Sequence, residues 1–202
     1  MSSTGKIYRY PANLEMSFPE GLEEIRFLKE IDGFNYLLVK KDKKSKIKLP
    51  KEFEESSLPD SFLEEKRQAK YAKIESKRKE LQFQEISHQN EKFSASQTAR
   101  QNMTGIILLE IMSIIQNSKS DSYYWQDING NPYQFSRDDF KDMLREISSR
   151  DSRLYFIEAE AKNIIKNETD LDSLESLDIE STWNQEDEKY QKLKTDKDLK
   201  EV

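Results

Sequence analysis

The chain has 202 residues, of which 36% are charged and 35% hydrophobic, and its formal net charge is −6. It contains no cysteine, which excludes disulfides, thiol catalysis and thiolate zinc sites. Because affinity for nucleic acid rests on neutralising phosphates, an acidic chain is a poor candidate for that role, and we expect no nucleic-acid partner.

Residues 1–55 are predicted to form a small N-terminal β unit. Four stretches are rich in β-forming residues or bounded by turn signals: Ile7–Tyr10, Ile25–Lys29, Phe34–Val39 and Lys46–Leu49. Asp32-Gly33 separates the second from the third. This dipeptide favours a tight hairpin turn because glycine accepts a positive φ.

The end of this unit is rich in lysine. Residues 40–51 hold seven lysines and one aspartate. A solvated hairpin tip is the ordinary explanation for such a segment. A patch for phosphate or an acidic partner is the alternative, and it leaves nucleic-acid binding as a third, weaker functional hypothesis.

Residues 56–81 are predicted to form a linking helix. From Phe62 to Leu81 the chain has no glycine or proline, and it is rich in helix-forming residues. Its apolar residues are too sparse for the seam of a coiled coil, so we expect a connecting helix with a partner on one side.

Residues 82–183 are predicted to form a mainly helical domain with one or two hairpins. The candidate turns are Gln89-Asn90 and Asn129-Gly130, and the second lies between two aromatic arms. The helix between the hairpins is apolar nearly all round, which predicts a position at the centre of the core. Its apolar run, Gly105–Ile115, is too short to cross a bilayer, so no membrane partner is expected.

The end of this domain is predicted to be helical. Ser136 and Asp139 have the spacing of a capping box. Two apolar stripes follow, and Ser148–Ser152 either joins or separates their helices. A short helix is expected after Thr169 or Asp170, and residues 184–202 are predicted to be a flexible charged tail because they lack an apolar stripe. The expected core residues are Met103, Ile107, Ile111, Trp125, Phe140, Ile164 and Trp183.

The predicted fold class is therefore α+β: an N-terminal β unit, a long linking helix and a mainly helical C-terminal domain with one or two hairpins. Six aromatic residues are candidate partner contacts, with packing inside the β unit or the helix as the alternative. They are Tyr8, Tyr10, Phe34, Tyr36, Phe62 and Tyr71.

Carboxylates are plentiful, so residue type alone leaves a glycosidase pair open, but no catalytic constellation stands out. His88 is the only histidine, its surroundings are polar, and the five glycines form no nucleotide-binding fingerprint. Asp127–Asn131 is similar to the start of a calcium loop, but proline replaces the required glycine, and the Asn-Gly turn already explains the segment. We therefore expect no enzymatic activity, no cofactor and no bound metal.

An ordered set of features extends over residues 73–183. It begins with Lys73-Ile74 and Arg78 on the long helix and ends with Trp183. Between them lie Phe93, Ser96, Arg100, Met103, Gly105, Trp125, Asn129-Gly130, Phe135, Phe140, Ile147, Glu158, Ile164-Ile165, Leu174 and Leu177-Asp178-Ile179. In this order they resemble a domain of unknown function found in tail proteins of tailed bacteriophages.

Genes for this domain lie in tail-fibre and tail-fibre-assembly clusters. The resemblance implies a non-enzymatic structural component of a phage tail that attaches or connects tail-fibre or baseplate proteins. Such a protein would be made in the host cytoplasm, reside in the virion tail and bind other tail proteins or further copies of itself. A tail-fibre assembly chaperone is the alternative. The resemblance supplies no catalytic residues and implies nothing about residues 1–55.

Overall fold

The computed structural model describes residues 5–20, 22–40, 47–115 and 122–198. The chain divides into two compact units, residues 1–66 and residues 67–202. The first contains a β-sheet, and the second contains helices and two hairpins. The predicted α+β class is confirmed. The lysine-rich patch falls largely on residues 41–46, which lie outside the described residues.

The first unit contains a four-stranded antiparallel sheet in the order β2-β3-β1-β4. Its strands are β1 (Lys6–Pro11), β2 (Glu24–Ile31), β3 (Phe34–Lys40) and β4 (Glu54–Glu55). Asp32 and Gly33 have φ values of 51° and 77°, so the predicted hairpin turn is confirmed. One face of the sheet packs around Leu37 and Val39.

The fourth strand differs from the prediction. No strand forms at residues 47–49, and Glu54–Glu55 pairs with β1 instead. Because two glutamates are poor β-formers, the sequence did not indicate a strand at this position. Its position is stabilised by Phe53, whose ring centroid lies 5.1 Å from that of Tyr10, and by ion pairs of 2.8 and 3.0 Å from β1 to the two glutamates.

Helix α1 (Asp60–Gln82) begins after Pro59 and crosses the boundary between the units. Its first turns belong to the first unit, where Phe62 is buried and Glu65 forms an ion pair with Lys29 of β2. From Arg67 onwards the helix belongs to the second unit.

In the second unit each hairpin is followed by a helix, and two further helices come after the second of these. Its further elements are β5 (Ile86–His88), β6 (Glu91–Phe93), α2 (Gln97–Ile115), β7 (Tyr123–Gln126), β8 (Pro132–Phe135), α3 (Arg137–Asn167), α4 (Leu171–Ser176) and α5 (Ile179–Asp198). Both predicted hairpins are confirmed, with positive φ at Gln89, Asn90 and Gly130. The capping box at the start of α3 is also confirmed, and α3 continues unbroken through Ser148–Ser152.

The core of the second unit lies between the hairpins, α2 and the first half of α3. Aromatic rings meet edge to face there, with centroids 5.6 Å apart for Phe135 and Phe140 and 5.3 Å apart for Trp125 and Phe140. Of the seven expected core residues, Met103, Phe140 and Trp183 are buried, Ile107, Trp125 and Ile164 are half-buried, and Ile111 is exposed.

The prediction of a flexible tail from residue 184 is wrong as far as residue 198, because α5 includes these residues. The helix docks on α3 through an ion pair and an aromatic contact, so it needs no continuous apolar stripe. Arg153 of α3 pairs with Asp187, and the rings of Phe156 and Tyr190 lie 5.3 Å apart. Residues 199–202 lie outside the described residues.

Candidate protein-interaction surface

Helix α2 is anchored at its beginning. The Ser96 hydroxyl accepts a hydrogen bond of 3.2 Å from the backbone N–H of Ala99, which caps the helix. The Arg100 guanidinium donates to the backbone carbonyls of Ala95 and Gln82 and pairs with Asp151 of α3. The first turns of α2 are therefore fixed to α1 and α3 at once.

A single stripe of α2 faces the core. Ala99, Met103 and Glu110 are buried at spacings of four and seven residues, and Ile106 and Ile107 pack partly against the same core. This spacing is that of one helix face. The expectation that α2 lies at the centre of the core is wrong, because the described neighbours cover only one side of it.

The opposite face of α2 is open and changes character along the helix. Its first half carries the exposed polar residues Gln101, Asn102 and Thr104. Its second half exposes four apolar side chains, which we call the α2 apolar face. They are Leu108, Leu109, Ile111 and Met112, each between 46% and 63% exposed.

The α2 apolar face is also uncharged. Between Gln101 and Ile115 the only charged residue is Glu110, and its side chain is 1% exposed on the inward stripe. This differs sharply from a chain in which 36% of residues are charged. A contiguous, uncharged and apolar patch of this kind is typical of the centre of a protein interface.

Other exposed apolar residues stand apart from this group in the sequence. Four examples are exposed, each on a different strand or helix: Phe27, Tyr124, Tyr155 and Leu193. Isolated exposed apolar side chains are ordinary on protein surfaces. Leu193 on α5, at 58% exposure, therefore gives a matched control for the leucines of α2.

The six aromatic residues proposed from the sequence as partner contacts do not gather on an open surface. Buried positions are taken by Tyr8, Tyr10, Tyr36 and Phe62. Phe34 lies beneath the guanidinium of Arg9 at 4.8 Å, and Tyr71 lies beneath the ammonium of Lys162 at 5.9 Å. These contacts agree with the alternative, packing within the fold.

A family model described as a domain of unknown function, DUF4376, matches residues 65–181, more than half of the chain. The chain belongs to the DUF4376 family. The matched segment overlaps residues 73–183, and the description of the family assigns it no function. No curated protein and no solved structure matches the chain.

Within the DUF4376 domain, the residues of the resemblance pattern serve mainly to hold the second unit together. Arg78 of α1 forms an ion pair with Glu158 of α3, and both side chains are nearly buried. The guanidinium of Arg78 also lies 4.8 Å above the ring of Tyr155. Buried apolar members of the pattern within the match are Ile74, Phe93, Met103, Phe135, Phe140, Ile147, Ile165 and Leu174, and Trp183, just beyond the match, is buried as well.

The single histidine of the DUF4376 domain also has a structural position. His88 Nε2 lies 2.9 Å from Asp139 Oδ1, and its ring meets Phe135 edge to face. Burial alone would raise the pKa of Asp139, but hydrogen bonds from Ser136 and His88 outweigh it and hold the pKa at about 2. The pair fastens the first hairpin to the start of α3.

The segment similar to a calcium loop is occupied by its own hydrogen bonds. The Asp127 carboxylate accepts from the backbone N–H groups of Asn129 and Asn131, both at 2.8 Å, and from the Asn131 side chain. Across the described ranges, no cluster of three acidic, histidine or cysteine side chains could hold a metal ion. In the same ranges, no helix is both long and apolar enough to span a bilayer.

Sequence reasoning missed the outward direction of the α2 apolar face. The signal was present, because an apolar helix interrupted by Glu110 suits either a central core position or a helix with a partner outside the chain. Periodicity alone does not separate these cases when apolar residues occupy every side.

Proposed function

We propose that this protein is a non-enzymatic structural component of a bacteriophage tail that attaches or connects tail-fibre or baseplate proteins. The connection with tails rests on the resemblance over residues 73–183. The observation that carries the binding role is the α2 apolar face, which is exposed on a helix whose base is fixed by Arg100.

Covering the α2 apolar face would stabilise a complex appreciably. Full burial of a leucine, isoleucine or methionine contributes about 1.5–3 kcal/mol. Because these four side chains are about half exposed, covering them together contributes on the order of 4 kcal/mol. Association has costs of similar size, so we place the face at the centre of an interface that also uses surrounding residues.

Particle composition tests the proposal. Mass spectrometry of purified phage should detect this chain together with the tail proteins. A phage carrying Leu109→Glu should lose the protein from its tails, since a buried charge at the interface centre is costly. The matched variant Leu193→Glu should be incorporated like the natural chain. Absence of the natural chain from intact particles would eliminate the structural role.

The α2 apolar face also favours the alternative, a tail-fibre assembly chaperone. An exposed apolar helix can cover apolar fibre surface while the fibre folds and then leave. Co-expression separates the two functions. For a chaperone, soluble fibre yield depends on this protein although finished particles lack it. For a structural component, the finished particles contain it.

A further inference from the structure

We infer that the α2 apolar face binds a second copy of this chain, so that the protein enters its assembly as a homo-oligomer paired through α2. This inference rests on the proposed function only in treating the face as a protein-binding surface. It adds the identity of the partner and can fail separately.

The spacing of the outward residues suits a paired helix. Gln101, Gly105, Leu108 and Met112 recur at alternating intervals of four and three residues. This is the spacing of a helix–helix seam, and it places Gln101 at one end and the two apolar side chains at the other. A second copy running parallel to the first brings like residues together along this seam, as a two-fold interface allows.

Charge also favours a second copy. Each chain carries a formal charge of −6, so pairing through faces rich in acids would be opposed by repulsion. The exposed side chains from Gln101 to Met112 carry no charge, and Glu110 points inward. Two acidic copies can therefore meet on this face without placing like charges opposite each other. A partner that binds through charged groups would have no opposite charge to pair with on this face.

Gly105 gives an independent indication of close approach. It lies on the same side of α2 as Leu108, Leu109 and Met112, at spacings of three, four and seven residues. A Cβ built at this position would meet nothing within 4 Å. Glycine inside a helix costs about 1 kcal/mol relative to alanine, and no contact with a described residue requires it here. A second helix packed closely against α2 at this position would require a glycine.

The expected association is reversible. A helix of 19 residues is about 28 Å long, and one such pair lies at the low end of specific interface sizes. We therefore expect dissociation constants on the order of micromolar and a strong dependence on concentration.

Analytical ultracentrifugation of the full chain, over a concentration series from below to above the micromolar range, tests the inference. The mass of the natural chain should rise from 23.9 kDa towards a multiple of that value. Leu109→Glu should stay at the single-chain mass, and Leu193→Glu should associate like the natural chain. A natural chain that stays at 23.9 kDa throughout, or a Leu109→Glu chain that still associates, would overturn it.

Gly105→Ala keeps the test decisive if Leu109→Glu does not fold. The added methyl meets no atom of the described residues within 4 Å, so thermal stability measured under monomeric conditions should rise. The same methyl lies in the seam, so the dissociation constant should increase about tenfold or more. Unchanged association of a stabilised Gly105→Ala chain would contradict pairing through α2.

The structural role in the tail and the pairing through α2 can be disproved separately. A chain that is monomeric in solution but present in purified tails overturns the second copy and leaves the structural role intact. A chain that associates through α2 but is missing from tails removes the structural role and leaves the pairing intact.

Discussion

Asp139 joins two elements through one carboxylate. One oxygen accepts from the Ser136 backbone N–H at 2.7 Å, and the other lies within hydrogen-bond distance of His88 and Gln89. The helix cap and the hairpin therefore depend on a charged side chain. Since the pKa of Asp139 is held at about 2 against an ordinary 3.8, folding should be linked to protonation of this residue.

The sign of this linkage follows from the lowered pKa. The unfolded chain binds the proton more tightly, so the stabilisation is present above about pH 4 and is lost as the pH falls towards 2. We expect Asp139→Asn to lower the free energy of unfolding by about 2 kcal/mol at neutral pH. Urea unfolding from pH 7 to pH 2 should show the two curves converging.

Asp142→Asn is the control for this measurement, because Asp142 pairs with Arg145 on the exposed side of the same helix. Its effect should stay within about 0.5 kcal/mol. A constant difference between Asp139→Asn and the natural chain across the whole pH range would show that the carboxylate's charge is not involved.

Glu158 is the centre of a network that joins α1 to α3. It forms an ion pair with Arg78, and Lys162 Nζ lies 2.8 Å from Glu158 and 2.6 Å from Glu75. A hydrogen bond from Lys162 lowers the pKa of Glu75, so that carboxylate keeps its charge at mildly acidic pH.

Glu158→Gln should destabilise the second unit by about 2–4 kcal/mol, because it leaves the nearly buried guanidinium of Arg78 without a charged partner. Thermal unfolding followed by circular dichroism measures this loss. Arg145→Gln, which breaks an exposed pair, should change stability by less than about 0.5 kcal/mol. Equal effects of the two substitutions would show that the Arg78–Glu158 pair stabilises the protein no more than an exposed ion pair does.

At the scale of elements, α5 completes the second unit. Its buried residues include Trp183 and Glu186, and Glu186 pairs with Lys189. Truncation after Asn184 would remove Glu186 together with the contacts from Asp187 and Tyr190 to α3.

We expect a chain ending at Asn184 to lose on the order of 3 kcal/mol of stability or more. A chain ending at Asp198, which retains all of α5, is the control and should unfold like the complete protein. Guanidinium denaturation of the two truncated chains measures the difference. Identical midpoints would show that residues 185–198 do not stabilise the fold.

The sequence predicted elements whose signals are local. Asp32-Gly33, Gln89-Asn90 and Asn129-Gly130 each fix a turn through their own backbone preferences, and Ser136 with Asp139 fixes a helix start through neighbouring hydrogen bonds. These features depend on two to four adjacent residues, so they could be predicted without knowledge of the remainder of the fold.

Features that depend on distant partners could not be predicted in this way. Helix α5 lacks an apolar stripe after Asn184, yet it docks through Asp187 and Tyr190, whose partners Arg153 and Phe156 lie over thirty residues earlier in the chain. The direction of the α2 apolar face depends on the hairpins and α3, which pack against the opposite side of the helix. The candidate interaction surface therefore required the structure, whereas the fold class did not.

At the scale of the whole molecule, each unit has its own core. The first is organised around a sheet with Tyr8, Tyr10, Leu37, Val39 and Phe53. The second contains most of the DUF4376 match and the α2 apolar face. Because the proposed interaction surface lies wholly in the second unit, substitutions there should alter binding while the sheet stays folded.

Chemical labelling of a single introduced cysteine tests the central claim most directly, because the natural chain has none. With Leu109→Cys, we expect rapid maleimide labelling of the dilute isolated protein and strong protection when the protein is part of the tail. Leu193→Cys should be labelled in both states. Labelling of Leu109→Cys in assembled tails at the rate seen for Leu193→Cys would contradict the claim that the α2 apolar face is a protein-binding surface.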